Sequence, residues 1–233
     1  MKHCLGAAVT LLLVACTTPR ISDTTSSVPA VASSLPTVSS NTVLGGARSV
    51  QELAAAVAQD AARTDLEPEA KVREDLAADA GRLADACLAQ APHAASCLYY
   101  HAIALGLEAR AHPIHAVEVL TAMIEALVSA DAADPEYDNA GPSRVRALVL
   151  TRAPGWPLGP GDPDAGLAAA KRAVALWPDY PPNVLALAGA LAKTGDAQGA
   201  RKSYAHAWAL AQGLPASADR EDWLREADTA LQR

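Results

Sequence analysis

Gly166 and Ala200 lie 34 residues apart, and so do Ala173 and Ala207. Between and around them Val184, Leu187, Ala188, Leu191, Ala200, Tyr204 and Ala207 run large, large, small, large, small, aromatic, small. Small residues let two antiparallel helices approach closely, and the large ones fill the groove to the next pair. A chain with this period is constrained to stack two-helix units. The composition agrees: alanine makes up about a quarter of the 233 residues and phenylalanine is absent. Runs of β-branched residues stop after position 50, so helix is favoured over strand.

The positions are those of a tetratricopeptide repeat. Upstream the spacing stretches: Pro92, Pro135 and Pro178 are 43 residues apart, twice over, and a tyrosine follows the last two by two positions, at Tyr137 and Tyr180. The alternative is a plain helical bundle. Nine helices are expected, over about 49–63, 67–90, 93–110, from 113, 142–152, 163–176, 181–193, 197–212 and 217–231. Ser49-Val50-Gln51-Glu52 is a capping box that opens the first. In the second, Val72, Leu76, Ala80, Leu83 and Cys87 form one apolar stripe. Pro113 sits at a first-turn position and starts the fourth, with Ile114, Val117, Ile124 and Leu127 expected inward. The fold class is therefore all-α, a helical-hairpin array over 49–233.

The N-terminus reads as an address. Met1-Lys2-His3 is a short positive start, and residues 5–14 are an apolar run too short to span a membrane. Leu13-Val14-Ala15-Cys16 matches the lipobox of bacterial lipoprotein signal peptides, so residues 1–15 are expected to be removed and Cys16 to carry acyl chains such as palmitate. The competing reading is an ordinary secretory signal with a chance cysteine. Cleavage removes Lys2 and takes the formal charge from −7 to −8. Residue 17 is Thr rather than the Asp that retains many such lipoproteins at the inner membrane, which directs the protein to the periplasmic face of the outer membrane. Residues 16–48 are Ser, Thr, Val and Pro with hardly any charge and no period, a disordered tether. The lipid is the membrane partner. The acidic balance and the lack of a basic stripe exclude a nucleic-acid partner.

Catalytic patterns are missing. There is no G-x-S-x-G, P-loop or HExxH. Gly159-Pro160-Gly161 is glycine-rich, but Pro160 lacks the N–H that a phosphate cradle needs. His101, His112 and His115 include an H-x-x-H, yet Pro113 starts a helix between the last two, and Glu118 is the sole carboxylate near ligand spacing. No enzyme activity, no metal site and no cofactor are expected.

The rare residues gather in two connectors, 134–141 and 153–162, on either side of one short helix. Tyr137, Asp138 and Asn139 lie in the first and Trp156 in the second. Arg144 and Arg152 are eight apart on that helix, within about 80° of each other around its axis. Together with Tyr100 they are a candidate groove at the rim of the array for a polar ligand or a partner protein. The alternative is that the Gly and Pro residues only terminate helices and that Trp156 tucks onto a neighbouring hairpin.

Leu98-Tyr99-Tyr100-His101-Ala102, Asp134-Pro135-Glu136-Tyr137-Asp138-Asn139-Ala140-Gly141-Pro142-Ser143-Arg144, Ala153-Pro154-Gly155-Trp156-Pro157, Gly161-Asp162, Ala173 and Pro178-Asp179-Tyr180 carry a resemblance. Over about 96–210 the chain resembles the T component of tripartite ATP-independent periplasmic (TRAP) transporters, lipoproteins with degenerate tetratricopeptide repeats. The resemblance implies homo-oligomers, a pore through each subunit and a periplasmic solute-binding protein as partner. A structural adaptor in outer-membrane or secretion-complex assembly is the alternative function.

Once Cys4 leaves with the signal and Cys16 takes lipid, Cys87 and Cys97 remain, five residues on either side of Pro92. A helical hairpin turning there brings them face to face, either as a disulfide in an oxidising compartment or as two buried thiols. The lipobox generates the first test. Cys16→Ser leaves the chain uncleaved by the lipoprotein peptidase and unlabelled by palmitate; a variant that still fractionates with outer membranes as wild type does overturns the anchor.

Overall fold

A computed structural model describes residues 48–232. The expected signal peptide, the lipidation site Cys16 and the tether up to residue 47 lie outside the described residues. Nine α-helices form within them, with no β-strand: α1 (Val50–Leu66), α2 (Ala70–Gln90), α3 (Ala95–Ala111), α4 (Ala116–Ala133), α5 (Tyr137–Arg152), α6 (Pro163–Leu176), α7 (Pro181–Lys193), α8 (Ala197–Gln212) and α9 (Ala218–Leu231). Successive helices pack as four antiparallel hairpins, α1/α2, α3/α4, α5/α6 and α7/α8, and α9 closes the end against α8. The first helix of each hairpin also touches the first helix of the next, α1 to α3, α3 to α5, α5 to α7 and α7 to α9. This is the stacking that the 34-residue period demands: an all-α helical-hairpin repeat array.

Alanine makes the stacking close. Ala169 and Ala170 of α6 meet Ala147 of α5 and Ala190 of α7 in one small cluster. Val184 and Leu185 of α7 pack with Ala207 of α8 and Ala227 of α9, flanked by Trp208 and Trp223. A larger core spans α1 to α5 and includes Val57, Ala80, Ala102, Met123, Leu127, Val145 and Val149. Helix α5 belongs to both halves: Val145 and Val149 face the first core and Ala147 the second. From Ala140 to Thr151 it is buried all round except at Arg146, as befits a central helix.

Local chemistry sets the ends. Ser49 Oγ accepts from Glu52 N while Glu52 Oε2 accepts from Ser49 N, the expected capping box. Asp162 and Asp196 cap α6 and α8 by accepting from Ala165 N and Gly199 N. Gly195 carries a φ of 91° in the α7–α8 turn, where a side chain would be strained.

Two expectations are corrected. α1 runs one turn further than expected, to Leu66. Ile114 and Val117 do not point inward. Pro113–His115 form a separate 3-10 turn ahead of α4, which shifts the inward stripe to Leu120, Met123, Leu127 and Ala130. Ile114 is left 92 % exposed.

Cys87 near the end of α2 and Cys97 in the first turns of α3 are joined by a disulfide, with Cα atoms 5.3 Å apart. Both are fully buried and pack against Leu53 of α1. In the chain denatured without reductant neither Cys87 nor Cys97 reacts with a thiol reagent, and peptide mapping that finds both labelled overturns the bridge. Reduction lowers stability by at most about 3 kcal/mol, the loop-closure value for a ring of this size.

Candidate functional site

The first connector is an internal knot. Asp138, Asn139 and Ala140 are three successive residues in left-handed conformation, with φ of 50°, 53° and 63°. Each such non-glycine residue costs about 1–2 kcal/mol, least for Asp and Asn. The cost is offset by what the turn offers to Arg144, one helical turn downstream. Arg144 Nη1 donates to the carbonyls of Asp138 (3.0 Å) and Asn139 (3.1 Å) and to Asn183 Oδ1 (3.2 Å). Its Nη2 donates to Asp138 Oδ2 at 2.7 Å, and the guanidinium lies 5.2 Å from the Tyr180 ring centroid.

Two other helices close on this turn. Tyr99 Oη of α3 donates to Asp138 Oδ2 at 2.8 Å. Asn183 Nδ2 of α7 donates to the carbonyls of Asn139, Ala173 and Trp177. Gly141 is required at its place, since a Cβ there would sit about 3.0 Å from both Asp138 and the Tyr99 ring. Ser143 donates to Asp131 Oδ1 at 2.7 Å, and Arg172 reaches the same carboxylate, tying α4, α5 and α6.

Tyr100 and Tyr137 extend the knot rather than form a rim. Tyr99, Tyr100 and Tyr137 make a three-ring cluster, each pair edge-on, with centroids 5.3 to 6.4 Å apart. Burial, with Asp138 beside it, pushes the Tyr137 phenol up to about 12, so it stays protonated.

The expected groove therefore does not assemble. Arg144 is 1 % exposed and spent on the knot. An 80° offset on a helix buried all round is enough to send Arg152 elsewhere: it faces Glu226 of α9 at 3.7 Å and lines a separate cavity of about 380 Å³ with Lys193 and Tyr204. Burial raises the Glu226 carboxyl above its ordinary value, and Arg152 offsets part of that. Tyr137, Asp138 and Asn139 are held in the knot.

Trp156 alone of the expected residues stands at the surface, 91 % exposed. Its loop is tied at the base, where Gly161 N donates to the Pro154 carbonyl (2.8 Å) and Asp162 N to the Leu150 carbonyl (2.9 Å). A side chain at Gly161 would run into the Ala153 carbonyl, so the closure needs glycine. The loop is thus a fixed projection carrying Trp156 and Leu158, the latter 74 % exposed.

Beneath it lies the feature that sequence reasoning missed, an apolar pocket of about 490 Å³. Leu107 of α3, Val117 and Leu120 of α4, and Leu158 and Pro160 of the loop form its walls. Arg73 and Arg110 line it as well. Exposed Ile114 adjoins its lining residue Pro113, and Leu66, 86 % exposed, follows its lining residue Thr64 by two positions. The available signal was the presence of Leu66 just past an expected helix end and of Leu158 in a loop, both outside any helical period.

Among the described residues no group of three or more His, Cys, Asp and Glu is placed to hold a metal ion, and no helix is long and apolar enough to cross a membrane. No family model matches the chain, and no curated protein matches it.

The geometry separates two residues expected to act together. Arg144→Ala leaves the Asp138 carboxylate without its counter-charge and takes a donor from two backbone carbonyls and the Asn183 amide oxygen; it costs about 3–5 kcal/mol in chemical denaturation, whereas Trp156→Ala leaves the midpoint unchanged. Equal midpoints for Arg144→Ala and wild type overturn the knot.

Proposed function

We propose that this chain is a lipid-anchored periplasmic binding component, similar in role to the T component of a TRAP solute-uptake system, and that it acts through the apolar pocket under the Trp156 loop. One observation carries the reading: an apolar pocket of about 490 Å³ opens between α3, α4 and the Trp156 loop, with the large side chains of Val117 and Leu158 exposed in its lining. Exposed apolar groupings of this kind mark binding sites. The size falls in the range of small-molecule sites, about 300–1,000 Å³, and the loop above it is braced at its base, a preformed arrangement that lowers the ordering cost of binding. A protein partner would be held by the rim and a small ligand by the pocket. The role is binding rather than catalysis.

The lipobox supports the anchor at the outer membrane, and the 96–210 motifs support the TRAP-like role. The structural-adaptor role in outer-membrane or secretion-complex assembly is the second reading, favoured by the open hairpin stacking that repeat arrays use to grip other proteins.

The two are separated by placing a photo-crosslinking residue at Trp156 in the intact envelope and identifying what is captured. A periplasmic solute-binding protein supports the transport role, and an assembly-machinery protein the adaptor role. The double change Val117→Asp and Leu158→Asp, which leaves the knot intact, abolishes the crosslink. Persistence of the same crosslink in that variant, or capture of nothing by the wild type, overturns the pocket rim as the binding surface.

A further inference from the structure

We infer that the pocket under the Trp156 loop takes a single-headed anionic amphiphile, its apolar body between α3 and α4 and its head on Arg73 and Arg110. The inference rests on that pocket being the binding site and goes further by naming the ligand's chemistry.

Among the described residues the charged ones lining the pocket are Arg73 and Arg110, both cations, and no carboxylate lines it. This runs against the sign of a chain whose formal charge is −7. The one hydroxyl in the lining, that of Thr64, is already given to the Asp60 carbonyl at 2.7 Å, so apart from the two arginines the side chains lining the pocket offer mainly apolar contact. Arg110 is partly compensated: its Nη1 meets Asp65 Oδ1 at 2.7 Å. Arg73 is not. Its Nη1 donates to two neutral carbonyls, those of Glu67 (2.9 Å) and Pro68 (2.7 Å), in the α1–α2 turn. Among the described residues no carboxylate lies within 4 Å of it, and the hydrogen bonds it makes with them are those two from Nη1.

The two carbonyls hold the guanidinium in place while its outer N–H groups remain to be used. An Arg so fixed recognises a carboxylate or a sulfate-like head with two parallel bonds. A neutral apolar ligand would leave this charge unanswered at the pocket wall, and a cation would be repelled by it. A dianion with no apolar body would leave the Leu107, Val117, Leu120 and Leu158 surface unfilled. One anionic head joined to one apolar chain satisfies both parts.

The head could belong to a free amphiphile or to a bilayer lipid, and the test separates them. The full acylated protein is placed in zwitterionic lipid nanodiscs and titrated with decanoate. The readout is Trp156 emission, taken as the difference from a Trp156→Leu sample, with empty nanodiscs as blank. Decanoate gives a saturable change, decanol a response at least tenfold weaker, and decyltrimethylammonium none. Arg73→Gln weakens decanoate binding about tenfold or more, the scale of a charge-assisted bond. Ala116→Leu, which fills the cavity from α4, abolishes the response while the thermal midpoint stays at the wild-type value.

Displacement of decanoate by added anionic phospholipid assigns the occupant to the bilayer, and indifference assigns it to a free amphiphile. Equal responses to the anion and the cation, or decanoate affinity unchanged in both Arg73→Gln and Ala116→Leu, overturn the proposal. That result leaves the crosslinking outcome at Trp156 untouched, so the two readings fail separately.

Discussion

A guanidinium with almost no access to water organises this array. Burying an unpaired charge is among the most costly events in folding, and it is tolerated only when the charge is paired and hydrogen-bonded. Arg144 meets that condition through one carboxylate, two backbone carbonyls, one side-chain amide and an aromatic face. The carbonyls are available because Asp138, Asn139 and Ala140 turn the wrong way for a helix. The strained turn and the buried cation thus stabilise each other, and neither makes sense alone. Their position fixes where α5 starts, and α5 carries both halves of the hydrophobic core.

Periodic features were legible in the sequence and single-residue departures were not. The 34-residue spacing, the Ser49–Glu52 box, the α2 stripe and the proline-led starts of α6 and α7 all report a regular backbone, and all appear in the structure. Arg144 was legible as important and illegible in role. A cation on a short helix beside Asp and Asn looks the same whether it faces a ligand or a turn of its own chain. The difference lies in φ angles that no local pattern signals. Ile114 and Val117 were misread for a related reason: a single 3-10 turn after Pro113 rotates the following helix against any 3.6-residue projection. The pocket was hard to read because its lining comes from three stretches, within 64–73, 107–120 and 154–160, and its polar part from two arginines that read as ordinary surface charges.

The motifs spread over 96–210 divide along the same line. Those between Asp134 and Arg144, together with Tyr99 and Tyr180, build the knot or pack against it. Those from Ala153 to Pro157 build the projection over the pocket. The first group conveys a way of folding and the second a way of presenting a surface. A chain could keep the former and alter what it binds by changing only the loop, Arg73 and the few side chains at the mouth.

The knot also changes the kind of folding unit this is. In an ordinary solenoid each repeat touches only its neighbours, so stability is a sum of local terms and the array can fray from either end. Here Tyr99 from the second hairpin and Asn183 from the fourth both bond to the turn that opens the third. Hairpins two apart are thereby linked through a shared set of atoms. Fraying of the α7–α8 pair removes a partner from Arg144 and so loosens the contact with α3. A nearest-neighbour chain becomes a three-body one, and the middle of the array melts as a single cooperative block rather than by propagation.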